Sequence, residues 1–185
     1  MSEPASVALA GEHLETFKDD MVTLIPSLRA FARGLCRHRE SADDLVQEAM
    51  MRAWSSRDSF TPGTNLRAWM FTILRNHFYT TIRKDGRSVT WDPEAAERIL
   101  VQEPDQEMPL HLEDVKRALL QLPDKQREML LLVAGAGLTY EEAASVADCN
   151  IGTVKSRLNR GRAAIRAVVD GASDIPAAAR GPRPE

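Results

Sequence analysis

The chain has 185 residues, with 24 Lys and Arg against 27 Asp and Glu for a net charge of −3, and it is 43% hydrophobic but only 5% aromatic. That length allows one ordinary domain or two small ones, and a composition rich in Ala, Leu, Arg and Glu without long β-branched runs predicts an all-α fold. Two isolated cysteines, Cys36 and Cys149, argue against a disulfide framework or a CxxC metal site; no apolar run approaches the ~20 residues that span a bilayer, and the opening MSEPASVALAGEHLETF lacks the pattern of a secretory leader, so a cytoplasmic location is expected.

Residues 1–12 are small and polar and are expected to be unstructured. Residues 13–84 carry helical periodicity and form the first predicted domain. Within it, SADDLVQEAMMRAW has a capping-box spacing at Ser41 and Asp44, and Ala42, Leu45, Val46, Ala49, Met50 and Ala53 form a buried stripe. Asp44, Gln47, Glu48 and Met51 share the opposite face. Carboxylates around an exposed Met suit a basic, partly apolar partner, although the pattern alone better describes the solvated side of an ordinary amphipathic helix. The loop SFTPGTN follows, with Asn65 as the cap of a helix that runs to Lys84. That helix is predicted to bury Leu66, Trp69, Met70, Ile73 and His77, with His77 read as a core histidine and Trp54 and Trp69 as core. Its other face presents Thr72, Arg75, Asn76, Tyr79 and Arg83. Cations, an amide and an aromatic ring on one face are the chemistry of single-strand binding, in which phosphates are attracted and bases stacked.

Residues 85–109 contain Gly86, Pro93, Pro104 and Pro109, and their charges are mostly acidic. They read as an acidic linker with one short helical turn around 93–101.

Residues 110–169 form the second predicted domain, and 170–185 an unstructured Pro/Gly/Ala tail. Leu112, Val115, Leu119 and Leu122 line one helix, and Pro123 opens the next, which buries Met129, Leu130, Leu132 and Val133 and ends at AGAG. Thr139 and Glu142 then fit a capping box, and Asn150 fits the cap of a last helix. Two short helices joined by a tight turn make a helix-turn-helix.

The last helix, NIGTVKSRLNRGRAAIR, holds Lys155, Arg157, Arg160, Arg162 and Arg166 and no acid. Advancing it by ~100° per residue puts Val154, Leu158, Gly161 and Ile165 on the buried side. Ser156, Asn159 and Arg160 lie opposite, with Thr153 beside them. Lys155 and Arg162 fall on one flank and Arg157 on the other. A helix so arranged fits a DNA major groove: Thr153, Ser156, Asn159 and Arg160 reach base edges, and Lys155, Arg157 and Arg162 reach phosphates.

The stretch ALLQLPDKQREMLLL…GLTYEEAASVADCNIGTVKSRLNRGRAAI resembles region 4 of a bacterial sigma factor, and SADDLVQEAMMRAW…NLRAWMFTILRNHFYTTIRK resembles region 2. The two together, with no region 3 between them, resemble an extracytoplasmic-function (ECF) sigma factor, most closely the EcfG type of the general stress response. The resemblance implies two helical domains that recruit core RNA polymerase to promoter DNA. Asp44, Gln47, Glu48 and Met51 would dock on the clamp of the largest subunit, with a further contact to the flap. Asn65, Thr72, Arg75, Asn76, Tyr79 and Arg83 would recognise and melt the −10 element, one base being extruded into a pocket at the Asn65 loop. The last helix would read the −35 element. A small anti-sigma factor of the NepR type is the implied inhibitor. The alternatives are a helix-turn-helix repressor, which needs neither the acidic helix nor the aromatic-basic one, and a sigma-like decoy domain that sequesters an anti-sigma factor. The four histidines are scattered, and no Gly-rich phosphate loop, metal spacing or nucleophile elbow occurs. No catalysis, cofactor, metal, small-molecule substrate or membrane partner is therefore expected.

Overall fold

The computed structural model describes residues 4–36, 38–85, 115 and 118–170. The predicted linker beyond Asp85, its short helical turn, Leu112 and the tail from 171 lie outside these residues. Among the described residues every regular element is helical.

Helix α1 runs from Pro4 to Leu35. The expectation of an unstructured start is thus corrected from Pro4 onward. Pro is suited to the first helical position, where its missing N–H costs nothing, and the Ala-rich segment after it has high helix propensity. Helix α2 spans Arg39–Ser55 and begins two residues before Ser41; its N-cap is His38, which makes no side-chain capping bond. The Ser41–Asp44 capping box is therefore not formed, because His38 already takes the extended backbone of a cap (φ −110°, ψ 142°) and leaves Ser41 inside the helix. The stripe Ala42, Leu45, Val46, Ala49 and Ala53 is buried as its spacing predicts, with Met50 half-buried. Three alanines in it allow close approach of Leu28, Phe31, Ala32 and Leu35 on α1, all in the same core. Trp54 corrects a second expectation: it is 38% exposed, under the Arg57 guanidinium at 5.1 Å. One position past Ala53, it turns off the buried stripe.

A short 3₁₀ turn, Arg57–Ser59, leads into the loop that precedes helix α3, Leu66–Asp85. Asn65 caps α3, its Oδ1 accepting the Ala68 N–H at 3.0 Å. Met70, Phe71 and Leu74 are fully buried, and Phe71 meets Phe31 edge-on with centroids 5.1 Å apart. Of the predicted buried set only Met70 is fully buried; Leu66, Trp69, Ile73 and His77 are half-buried. The buried side is rotated because α3 is packed on two sides, by α1 and α2 and by the second domain.

In the second domain, helical residues 118–121 lead to Pro123, whose carbonyl accepts the N–H groups of Gln126 and Arg127 at 2.9 and 3.0 Å. Helix α4, Asp124–Leu130, continues as a π turn over Leu131–Gly135. Helix α5 spans Tyr140–Val146 and α6 Ile151–Val169, with Asp148 at φ 50° in the turn between them. Asp is one of the few residues that tolerate this left-handed backbone.

The two domains pack directly on one another, α1 against α4 and the π turn, and α3 against α5. Arg67 spans the boundary, donating from Nη1 to the Ala136 carbonyl at 2.7 Å and from Nη2 to Ser27 Oγ at 3.1 Å.

Candidate nucleic-acid interface

Two caps fix the helix-turn-helix, one at the start of α5 and one at the start of α6. Thr139 Oγ1 accepts the Glu142 N–H at 3.1 Å, and Glu142 Oε2 accepts the Thr139 N–H at 2.8 Å, which closes the predicted capping box on α5. Asn150 Oδ1 accepts both the N–H and the hydroxyl of Thr153, at 2.8 and 3.0 Å. Gly152 beside it has no Cβ, and one would sit 3.2 Å from that Oδ1.

Val154, Leu158, Gly161 and Ala164 are buried and Ile165 is half-buried. Ser156, Asn159 and Arg160 are exposed on the opposite side, as are Lys155 and Arg162. Thr153 is half-buried with its hydroxyl committed to the cap, and the Ser156 hydroxyl donates to the Thr153 carbonyl at 3.0 Å. Arg157 is half-buried and leans on the turn, with Nη1 3.9 Å from Cys149 Sγ. Among the described residues no carboxylate pairs with Lys155, Arg160 or Arg162. Their charge faces outward, as an anionic backbone requires.

On α3, Asn76 and Arg83 are exposed, whereas Thr72, Arg75 and Tyr79 are half-buried. The Thr72 hydroxyl donates to the Ala68 carbonyl at 2.9 Å, and Arg83 Nε to the Tyr79 carbonyl at 3.2 Å. Arg75 and Tyr79 come together on Glu128 of α4. Arg75 Nε donates to Glu128 Oε1 at 2.5 Å and the Tyr79 hydroxyl to Oε2 at 3.1 Å. The Arg75 guanidinium lies 4.9 Å from the centre of the Tyr79 ring, and Lys125 Nζ lies 4.1 Å from it. Burial, then the Glu128 charge and hydrogen bond, push the Tyr79 phenol well above its ordinary value of 10.0, so it stays a donor. The Asn65 side-chain amide donates in the same way to Glu142 Oε1.

Sequence reasoning missed Glu128, which is fully buried. One signal was present: Glu128 stands four residues before Leu132 and next to Met129, on the face assigned to the core.

On α2, Asp44, Gln47 and Met51 are exposed, and Glu48 is half-buried with Arg52 Nη2 2.8 Å away. All four predicted docking residues line a groove of ≈ 980 Å³ between α2, the ends of α1 and α3, and the start of α4. Met51 and Ile82 offer it apolar surface, being 51% and 47% exposed. Cys36 and His77 also line it. Burial raises the Cys36 thiol to about 11 against an opposing effect of Arg127, and burial followed by Arg52 lowers His77 below 6.5. His77 is thus neutral at pH 7 and packs as an uncharged ring.

Residues 21–88 match the Sigma-70 region 2 family, and residues 112–165 match Sigma-70 region 4. The chain is 46% identical over 163 residues to the ECF RNA polymerase sigma factor EcfG of Rhodopseudomonas palustris (strain TIE-1), across 87% of this chain and 90% of that protein. Among solved structures it is similar to the sigma factor RpoE in complex with the anti-sigma factor NepR from Bartonella quintana. The identity there is 40% and the TM-score 0.73, covering 85% of this chain and 98% of the other. It is also similar to CnrH in complex with the cytosolic domain of CnrY, at 26% identity and a TM-score of 0.64, covering 86% and 91% of the two chains.

Proposed function

The chain belongs to the extracytoplasmic-function sigma factors of RNA polymerase, proteins that direct the polymerase to promoters, and from that premise we propose how its surfaces divide the work. Region 4 reads the −35 element through α6. Ser156, Asn159 and Arg160 face the base edges, Thr153 lies at their margin, and Lys155, Arg157 and Arg162 hold phosphates. Region 2 recognises and opens the −10 element through α3, with Arg75 and Arg83 on phosphates, Tyr79 stacking, Thr72 and Asn76 supplying hydrogen bonds, and Asn65 beside an extruded base. Asp44, Gln47, Glu48 and Met51 of α2 dock on the clamp of the polymerase largest subunit, and region 4 adds a contact to the flap. The chain binds and positions without catalysing, and works in the cytoplasm beside the polymerase.

A single observation carries this reading: α6 turns outward a cationic face that no carboxylate among the described residues pairs, on a helix whose first turn is fixed by Asn150. A decoy that only captures an anti-sigma factor has no use for that face. Likeness to a sigma factor solved with NepR supports a small anti-sigma partner of the same kind for this chain.

Gel filtration with core polymerase, followed by run-off transcription on a promoter library, tests the proposal. Co-elution and initiation at a shared pair of elements are expected. A chain that binds duplex DNA but elutes apart from core would instead be a repressor.

A further inference from the structure

We propose that Phe17 of α1 is a positioning residue for the −10 element. Through a contact of three aromatic rings it holds the loop 61–65 in the place where an extruded base meets it. The inference rests on the assignment of Asn65 and its loop to that base, and adds the residue, remote in sequence, that sets where the loop stands.

Three observations carry it. First, this part of α1 attaches through one side chain. Between residues 14 and 20 every residue but Phe17 is exposed. Phe17 stands four residues before the buried Met21 and so begins the inward stripe of α1. Its ring centre lies 5.6 Å from that of Phe60 and 6.2 Å from that of Trp69, and Phe60 lies 5.4 Å from Trp69. All three pairs are tilted or edge-on at separations where rings attract. The helix α1, the start of the loop and α3 thus meet at one point. Second, the loop fixes its own shape but not its position. The Thr61 carbonyl accepts both the N–H and the hydroxyl of Thr64, at 3.2 and 2.7 Å, and Gly63 takes a φ of 84° that glycine adopts without steric cost. Residues 61–65 are all exposed, so none of them anchors the turn in the core. The turn therefore stands where its two ends are held. One end is Asn65, which caps α3 at Ala68. The other is Phe60, half-buried against the two rings. Third, the turn is open on its outer side: a Cβ on Gly63 would meet nothing within 4 Å, so a base can approach the backbone there. Base discrimination needs its contacts placed to within about 0.5 Å, so letting the turn pivot at Phe60 costs selectivity before it costs the fold.

Phe17→Ala removes the ring. Phe17→Leu keeps most of the apolar volume without it, and carries the test should Phe17→Ala fold poorly. Leu24→Ala, at a half-buried position further along α1, is the control for lost packing alone. Each is made in the full-length chain, checked by helical circular dichroism and a thermal melt, and assembled with core polymerase. Fluorescence anisotropy then measures binding of fluorescein-labelled single strands that carry the −10 sequence of a promoter the holoenzyme transcribes. In a second set of strands each base in turn is replaced by an abasic site. The ratio of intact to abasic affinity reads what that base contributes, and a change in the ratio reads its coupling to the substituted residue.

Asn65→Ala should lower the ratio at one position, which identifies the extruded base. Phe17→Ala and Phe17→Leu should lower it at the same position by about three- to tenfold, because a positioning contact can confer no more than its own free energy and an aromatic pair supplies about that much. On the strand abasic at that position both Phe17 variants should bind as the wild type does. Leu24→Ala should melt earlier and keep the ratio. A ratio lowered by Asn65→Ala and untouched by the Phe17 variants would overturn the positioning role and leave the base assignment of Asn65 standing. Equal weakening on every strand, the abasic one included, or the same loss from Leu24→Ala, would also overturn it. A ratio that no variant moves would remove the pocket at Asn65, and the proposal with it.

Discussion

Arg160 and Lys155 carry the same charge on α6 and both are exposed, yet their loss should look different. In the proposed reading Arg160 meets the groove floor, where a guanidinium can bind guanine through two hydrogen bonds, so Arg160→Ala should remove about 1–3 kcal/mol of discrimination at one base pair. Lys155 lies on the flank, so Lys155→Ala should weaken binding evenly across sequences and flatten its salt dependence. Titrations on a panel of −35 variants at two salt concentrations would separate the two; equal loss on every sequence for both would contradict the assignment. Cys36 gives a residue-scale test of the groove. With its thiol raised to about 11, only about one molecule in a thousand is thiolate at pH 8. Alkylation of Cys36 should be slow there and quicken as the pH approaches 11. Fast labelling at neutral pH, followed by peptide mapping, would show the groove to be open to water at that point. The residues of α6 were legible from sequence because one helix supplies both its core and its outer face. Thr153 was legible only in part, since a hydroxyl three residues into a helix can serve either a cap or a ligand.

At the scale of elements, the helix-turn-helix is held by small, separable devices. Thr139→Ala removes one arm of the capping box and should cost about 1 kcal/mol, lowering Tm by about 2–4 °C for a chain of this size. Gly161 is a sharper case. A Cβ there would meet Leu130 Cδ1 at 2.8 Å, and Leu130 is only 6% exposed, so its side chain would have to shift within the packed core. Replacing a helical Gly gains up to about 1 kcal/mol of propensity, whereas overpacking costs about 1–3 kcal/mol. Gly161→Val, with a branched side chain, should therefore be destabilising, and thermal melts against Ala163→Val on the exposed side would show it. Caps written as S/T-x-x-E before an apolar run were readable, as Thr139 and Glu142 demonstrate. The same spacing at Ser41 was not a cap, because helix α2 had already begun at Arg39. A short motif says that a cap can form, and the backbone of the preceding residues decides whether it does.

For the whole molecule, the helices and their membership of two bundles follow from periodicity within each segment. The docking of one bundle on the other does not. It depends on Arg75 meeting Glu128 across 53 residues and on Gly34 seating Leu131, and neither leaves a periodic trace. That is why the face of α3 proposed to read single strands was expected to be open and is instead half-covered. It also explains why the central core of α3 is shifted toward Phe71 and Leu74.

The division of labour between the domains is tested most directly by transcription from paired templates. One carries a duplex −10 element and the other the same promoter opened in advance, each used with core polymerase and Tyr79→Ala or Arg160→Ala. Opening the template in advance should restore Tyr79→Ala largely to wild-type initiation, since strand separation is then supplied, and should leave the Arg160→Ala deficit in place. A Tyr79→Ala deficit of equal size on both templates, or an Arg160→Ala deficit that disappears on the opened one, would contradict the assignment of melting to α3 and duplex reading to α6.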